Sequence, residues 1–212
     1  MGKNGERTNL CNLGGEPDPY RCISHRDRRT ALGLFLAAPL AGLGLVGPDA
    51  ACAAALTREE RDSCIDSRAP AEIILDAGIG DTFNARIAGN IANDDLIGSL
   101  EFACAAAGAK VVLVMGHTAC GAVKGAIDAV ELGHLTALLD KIKPAVAATT
   151  YSGARTSKND AFVDAVAATN VRRTVDDIRA RSTVLTALEK DGKIKIVASM
   201  YHLVGGRVEF LT

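Results

Sequence analysis

Hydrophobic and polar positions follow two spacings along residues 71–211, and each spacing predicts a different kind of element. Near-continuous apolar runs, which are typical of strands covered on both faces, occupy residues 110–115 and 193–200. Residues 82–87 and 207–211 also have strand character. Stretches with helical spacing lie between the strands, at residues 71–77, 94–107, 119–130, 135–149, 159–181 and 183–190.

This alternation of strands and helices predicts the fold class. Helical connections join parallel strands by right-handed crossovers, so we predict an α/β fold with a central, mostly parallel β-sheet flanked by helices. Gly205 and Gly206 make a turn before the last strand, which we expect to run antiparallel to its neighbour. Composition agrees with a globular domain, since 48% of the 212 residues are hydrophobic. The formal net charge of -1 argues against a nucleic-acid partner.

Residues 1–55 differ in composition and are predicted to form a leader, separate from the α/β domain at residues 56–212. A basic cluster that ends in Arg28 and Arg29 precedes an uncharged apolar stretch at residues 31–46. That stretch is short for a membrane span, so a signal peptide is the better interpretation. The paired arginines resemble a twin-arginine signal, which predicts export to the periplasm. A protein that stays in the cytoplasm, or an uncleaved anchor, is the alternative.

One predicted strand ends in two side chains that suit a metal ion. The apolar run at residues 111–115 leads into His117 and Cys120, where a helix of small residues is predicted to begin. An imidazole and a thiolate at this spacing supply two ligands of a tetrahedral zinc site, and the positive end of the helix favours the thiolate. Considered alone, the pattern also fits a buried cysteine that only fills space.

A second group of reactive side chains lies upstream. Cys64, Asp66 and Arg68 occupy alternate positions, and in an extended segment such positions share a face. Two thiolates and one imidazole would leave the fourth zinc position to Asp66 or to water. Three protein ligands and an open position are typical of catalytic zinc. The alternative is a surface Asp–Arg pair beside a buried cysteine, which contributes little.

Together these motifs resemble the β-class carbonic anhydrases. The resemblance rests on Cys-x-Asp-x-Arg at residues 64–68 and His-x-x-Cys at residues 117–120. It also includes the segments at residues 80–90 and 99–103, and it extends over roughly residues 63–212. Two metal-binding motifs in this order, with these segments between them, make a specific match.

The resemblance implies a zinc ion held by Cys64, His117 and Cys120, with Asp66 and Arg68 as the catalytic pair. It implies reversible hydration of carbon dioxide to bicarbonate and a proton by a zinc-bound hydroxide. It also implies a homodimer or a larger homo-oligomer. In some members of the family the aspartate binds zinc and closes the site, so Asp66 is also a candidate for the fourth ligand.

Three functions compete at this point. The first is a carbonic anhydrase, and the second is a related zinc hydrolase of carbonyl sulfide or carbon disulfide with the same ligands. The third is an inactive zinc-binding remnant, because polar residues 56–63 stand where the family has a helical arm and a first apolar strand. Burying several charges is costly, so we expect that strand to be missing and Cys64 to follow a loop. The segment from Cys64 to Arg68 would then be held less firmly than His117 and Cys120.

Other polar residues receive lesser roles. We expect Asn84, Arg86 and Asn90 to serve turns or an interface between subunits rather than catalysis. His202, in the last strand region, is expected to be a half-exposed strand residue, with a role as a proton relay as the alternative.

Overall fold

The computed structural model describes residues 59–78 and 80–212. The predicted leader at residues 1–55 lies outside this part of the chain, so its cleavage and its role in export stay predictions. Within the described residues, no helix is both long enough and apolar enough to cross a membrane.

Strands and helices alternate along the chain, as the hydrophobic spacing predicts. The strands are β1 (Glu59–Ser63), β2 (Thr82–Arg86), β3 (Val111–His117), β4 (Lys195–His202) and β5 (Arg207–Leu211). The α-helices are α1 (Ala71–Ile74), α2 (Asp94–Glu101), α3 (Gly121–Ile127), α4 (Gly133–Asp140), α5 (Lys143–Ala148), α6 (Asp160–Arg181) and α7 (Thr183–Lys190). A 3-10 turn, Ala88–Asn90, follows β2, and a π-helical turn, Phe102–Ala106, continues α2.

The strands of the described chain form one sheet in the order β2–β1–β3–β4–β5. Strand β1 is parallel to both β2 and β3, and β3 is parallel to β4. Strand β5 pairs antiparallel with β4. The predicted α/β class and the antiparallel last strand are therefore confirmed. The carboxyl ends of β1 and β3 meet at one edge of the sheet, which is where open α/β sheets bind their ligands.

The central position of β1 shows that the expectation of a missing strand was wrong. Its residues Glu59–Ser63 pair with five residues of β2 on one side and five of β3 on the other. The side chains of Asp62 and Ser63 are buried. That expectation considered the cost of burying polar side chains but not the hydrogen bonds of the backbone. Without β1, the facing edges of β2 and β3 would carry unpaired N–H and C=O groups in the middle of the sheet, and a polar segment satisfies these as well as an apolar one.

Two predicted helices are divided in the structure. Residues 135–149 form α4 and α5, which are separated at Lys141 and Ile142. Pro144 lies in the first turn of α5, where its missing N–H is not needed, so it favours a new helix start. The segment predicted as one helix at residues 94–107 changes from α2 to the π-helical turn.

The long helix α6 packs against β3 and β4. It contributes several fully buried apolar side chains to the core, among them Phe162, Val171 and Ile178. Because β3 carries His117 at its end, α6 supports the same strand that delivers part of the candidate site.

Candidate metal centre

The three predicted ligands converge at the carboxyl edge of the sheet. Cys64 directly follows β1, His117 ends β3, and Cys120 caps the amino end of α3. All three are buried, and their donor atoms lie within 4.8 Å of one another. The sulfurs of Cys64 and Cys120 are 3.9 Å apart. Two sulfurs at ~2.3 Å from a tetrahedral zinc ion would be separated by about 3.8 Å, so this spacing fits zinc.

The imidazole of His117 is oriented by its neighbour in the chain. Its Nδ1 lies 2.9 Å from the carbonyl oxygen of Thr118, and because a carbonyl oxygen only accepts, Nδ1 carries the hydrogen. The other nitrogen, Nε2, is buried and has no hydrogen-bond partner among the described residues. A buried nitrogen of this kind, beside two sulfurs, fits the coordination of a metal ion.

The two thiols and the imidazole change one another's proton affinity. The hydrogen bond with Cys120 lowers the pKa of Cys64 to about 4, although burial opposes this shift. The same hydrogen bond raises the pKa of Cys120, and burial of the thiol raises it further. Burial lowers the pKa of His117, but its interaction with the nearby Cys64 sulfur and the negative charge of that sulfur outweigh burial, and the net shift is upward. The protein alone therefore holds one thiolate readily, and binding of a divalent cation would release protons from the site.

The segment that carries Cys64 is firmly held, contrary to expectation. The backbone N–H of Gly89 donates to the sulfur of Cys64 at 3.3 Å. Arg86 donates through Nε to the carbonyl oxygen of Cys64 at 2.9 Å and through Nη2 to that of Asp66 at 2.7 Å. From the sequence, Arg86 was expected to serve only a turn or an interface, and Gly89 had no expected role. The register of β2 on β1 pairs Arg86 with Ser63 and so brings it to this segment, and register is not visible before the topology is known.

Asp66 and Arg68 form a two-pronged ion pair beside the three ligands. Oδ1 of Asp66 accepts from the backbone N–H and the Nε of Arg68, both at 2.9 Å, and Oδ2 accepts from Nη2 at 2.7 Å. The hydrogen bonds from the Arg68 side chain, despite opposition from burial, lower the pKa of Asp66 to about 2. The same Oδ2 lies 3.7 Å from Nε2 of His117. The carboxylate thus faces the candidate ligands while it is hydrogen-bonded to Arg68.

Two of the remaining polar candidates form hydrogen bonds with other side chains. Asn84 is exposed and donates to Glu72 at 2.7 Å, which agrees with a structural role. Nε2 of His202 lies 2.9 Å from the carboxylate of Glu209, between β4 and β5. Asn90 is buried in the 3-10 turn. Within the described residues, His202 does not belong to the group of convergent histidine, cysteine and carboxylate donor atoms.

Known proteins are similar to this chain in sequence and in fold. The family model described as carbonic anhydrase matches residues 63–208. The chain is 32% identical over 166 residues to a carbonic anhydrase of Mycolicibacterium smegmatis, a match that covers 74% of this chain and 78% of that protein. It is 34% identical over 149 residues to carbonic anhydrase 2 of Mycobacterium tuberculosis, covering 68% and 69%.

Solved structures agree with the sequence relatives. The crystal structure of the β-carbonic anhydrase CafA of Aspergillus fumigatus has a TM-score of 0.64 at 28% identity, covering 73% of this chain and 74% of that one. The fold of the Coccomyxa β-carbonic anhydrase, solved with acetazolamide, gives a TM-score of 0.64 at 23% identity, covering 73% and 71%. The family match, which spans most of the described domain, and these relatives lead to one conclusion. The chain belongs to the β-carbonic anhydrase family of enzymes.

Proposed function

We propose that this chain catalyses the reversible hydration of carbon dioxide with a zinc ion held by Cys64, His117 and Cys120. The observation that carries the proposal is the convergence of these buried donor atoms within 4.8 Å of one another, beside the carboxylate of Asp66. Two sulfurs and one nitrogen are a donor set that suits zinc. The carbonic anhydrases among the relatives support the reaction.

When bound, zinc supplies a Lewis acid that makes a water molecule nucleophilic near neutral pH. The residues of the chain prepare the rest of the reaction. Asp66 is ionised throughout the neutral range because its pKa is about 2. An ionised carboxylate only accepts hydrogen bonds, so Asp66 orients the attacking water by accepting its hydrogen.

Arg68 holds Asp66 in position and keeps its carboxyl group ionised. Its fork of donors bonds both carboxylate oxygens, and this planar, bidentate match is one that lysine cannot make. A carboxylate held in this way is kept from becoming the fourth ligand. We propose that this arrangement is the working state, and that a ligating Asp66 would be a closed one.

Two alternatives deserve comparison with this proposal. The inactive remnant was an alternative because the first strand was expected to be missing, and β1 occupies that place. Hydrolysis of carbonyl sulfide or carbon disulfide would use the same ligands, and no contact described above favours it over hydration.

Self-association is part of the proposal as well. The crystal structures of two Sordaria macrospora β-carbonic anhydrases are described as tetrameric. In this chain the large apolar side chains of Ile65, Ile73 and Phe102 are exposed. We propose a homodimer or a larger homo-oligomer, to be measured by light scattering coupled to size-exclusion chromatography. A monomer at micromolar concentration would contradict it.

Metal analysis and rapid kinetics test the function together. The purified chain should carry one zinc ion and should hydrate carbon dioxide in a stopped-flow assay with a pH indicator. Cys120→Ser and His117→Ala should lose the metal and the activity. Cys104→Ser is the matched control, because Cys104 is also buried but lies in the π-helical turn, and it should keep both. Full zinc occupancy in Cys120→Ser and His117→Ala would overturn the ligand assignment, and hydrolysis of carbonyl sulfide without hydration of carbon dioxide would favour the alternative.

A further inference from the structure

Helix α6 contacts both ligand-bearing segments, although it carries none of the proposed ligands. Oδ1 of Asp164, in its second turn, accepts the backbone N–H of Ala119 at 2.8 Å. Further along α6, Nδ2 of Asn170 donates to the carbonyl oxygen of Gly89 at 2.7 Å. Ala119 stands between His117 and Cys120, and Gly89 bonds Cys64.

The contact of Asn170 reaches Cys64 through a single residue. The N–H of Gly89 donates to the sulfur of Cys64, and the carbonyl oxygen of the same residue accepts from Asn170. Gly89 has a φ of 71°, and a Cβ there would lie 2.5 Å from Cδ1 of Ile142. Only glycine fits this position, and glycine alone leaves its backbone dihedrals loosely defined. The bond from Asn170, which is 3% exposed, therefore fixes the residue whose amide meets the thiolate.

The contact of Asp164 fixes the turn between the other two ligands. Ala119 has a φ of 53°, a left-handed conformation that is unfavourable for alanine and persists only where the surroundings hold it. Its N–H is held by Asp164, and its carbonyl oxygen accepts from Nη2 of Arg68 at 3.4 Å. The conformation of this one residue therefore sets the separation of His117 from Cys120 and also one anchor of Arg68.

We propose that Asp164 and Asn170 are positioning residues that set the geometry of the metal centre from helix α6, Asp164 through the Ala119 turn and Asn170 through the Gly89 amide on Cys64. The inference rests on the proposed zinc site. Helix α6 suits this role because it is long and packs against both β3 and β4. Outer partners of metal ligands typically change metal affinity by about 10–100-fold when they are removed.

The test compares four variants with one control on the same helix. Asn170→Ala and Asp164→Ala remove the two bonds, and Asn170→Leu removes the same donor while filling a similar volume. Asp164→Asn keeps an oxygen that accepts the Ala119 N–H. Thr174→Ala is the matched control, since Thr174 is buried one turn beyond Asn170 and makes neither contact. Zinc release to a coloured chelator and the thiolate-to-metal absorption band of the Co²⁺ form are measured, with urea midpoints recorded for each variant.

We expect Asn170→Ala, Asn170→Leu and Asp164→Ala to release zinc on the order of tenfold faster than the wild type and to shift the Co²⁺ band. Asp164→Asn and Thr174→Ala should release it at the wild-type rate. If the alanine variants match Thr174→Ala in release and spectrum, the positioning role is overturned, even where their urea midpoints fall. If Asp164→Asn is as impaired as Asp164→Ala, the hydrogen-bond route for Asp164 is overturned. If Asn170→Ala does not fold, Asn170→Leu decides the case for that residue. Wild-type protein that takes up no zinc would instead overturn the proposed function, and this inference with it.

Discussion

Strands β1 and β3 lie side by side in the sheet and bring residues of the candidate metal site to the same edge, although their own side chains are very different. Strand β3 is apolar and buried along most of its length, as expected of a central parallel strand. Strand β1 has the sequence Glu-Glu-Arg-Asp-Ser, yet it pairs in register on both sides. The difference shows that a strand flanked by two others is placed by its backbone hydrogen bonds. Hydrophobicity predicts such a strand only where its side chains are also apolar.

Truncation to alanine should have opposite effects at paired positions of the two strands. Ser63 of β1 and Met115 of β3 are register partners, and each is 1% exposed. Met115→Ala should cost about 3 kcal/mol because it leaves a cavity. Ser63→Ala should gain about 1 kcal/mol, since the Ser63 hydroxyl is buried with no hydrogen-bond partner among the described residues. Urea unfolding measures both, and equal losses would mean that the two strands are stabilised alike.

The ends of the two strands should separate metal binding from catalysis. Arg68, which follows β1, belongs to the proposed catalytic pair, whereas the end of β3 supplies only a proposed ligand. Arg68→Ala should therefore keep zinc and lose hydration on the order of a hundredfold. Lys143→Ala, which removes an exposed cation paired with Asp140, is the control and should behave as the wild type. An Arg68→Ala enzyme with near wild-type rate at pH 8 would refute the catalytic pair.

A single methyl group should test how tightly β3 is packed. A Cβ at Gly116, next to His117, would lie 2.5 Å from Cγ2 of Val171 on α6 and 2.9 Å from Sδ of Met200 on β4. Gly116→Ala should therefore cost about 2 kcal/mol and weaken zinc binding. Gly98→Ala is the matched control, because a Cβ there meets nothing within 4 Å and favours α2 by about 0.5–1 kcal/mol. Equal stability of the two variants would contradict this close packing.

The smallest effect concerns charge at the end of β1. Arg68 lowers the pKa of Asp66 from 3.8 to about 2, so the ionised pair stabilises the folded chain above pH 4, and this contribution is lost as the pH falls towards 2. Because Arg68 is 39% exposed, screening reduces the contribution to about 1 kcal/mol. The metal-free wild type should exceed Asp66→Asn in unfolding free energy by that amount at pH 6, with the difference shrinking between pH 4 and pH 2. A difference that does not change with pH would show that the ion pair adds no stability.

The candidate residues of the site could be proposed from the sequence, but the hydrogen bonds that hold them could not. The five proposed site residues stand in two short motifs, and local spacing was enough to propose them. The α/β class followed from periodicity, since β3 and β4 are apolar and the helices are long. Strand β1 was missed because its pairing depends on partners that come later in the chain. Arg86, Asp164 and Asn170 were missed for the same reason, because each acts through a bond to a distant segment.

The sheet order also has a consequence for how a newly made chain matures. Strand β1 comes first along the described chain, but both of its neighbours in the sheet come later, and Cys64 precedes Cys120 by 56 residues. Contacts between such distant segments form slowly, because the loop between them must first be closed. During synthesis Cys64 therefore emerges as a lone thiol, and its low pKa develops only when Cys120 arrives beside it. Uptake of a metal ion at the proposed site would accordingly have to wait until the first strand has taken its place between the second and the third.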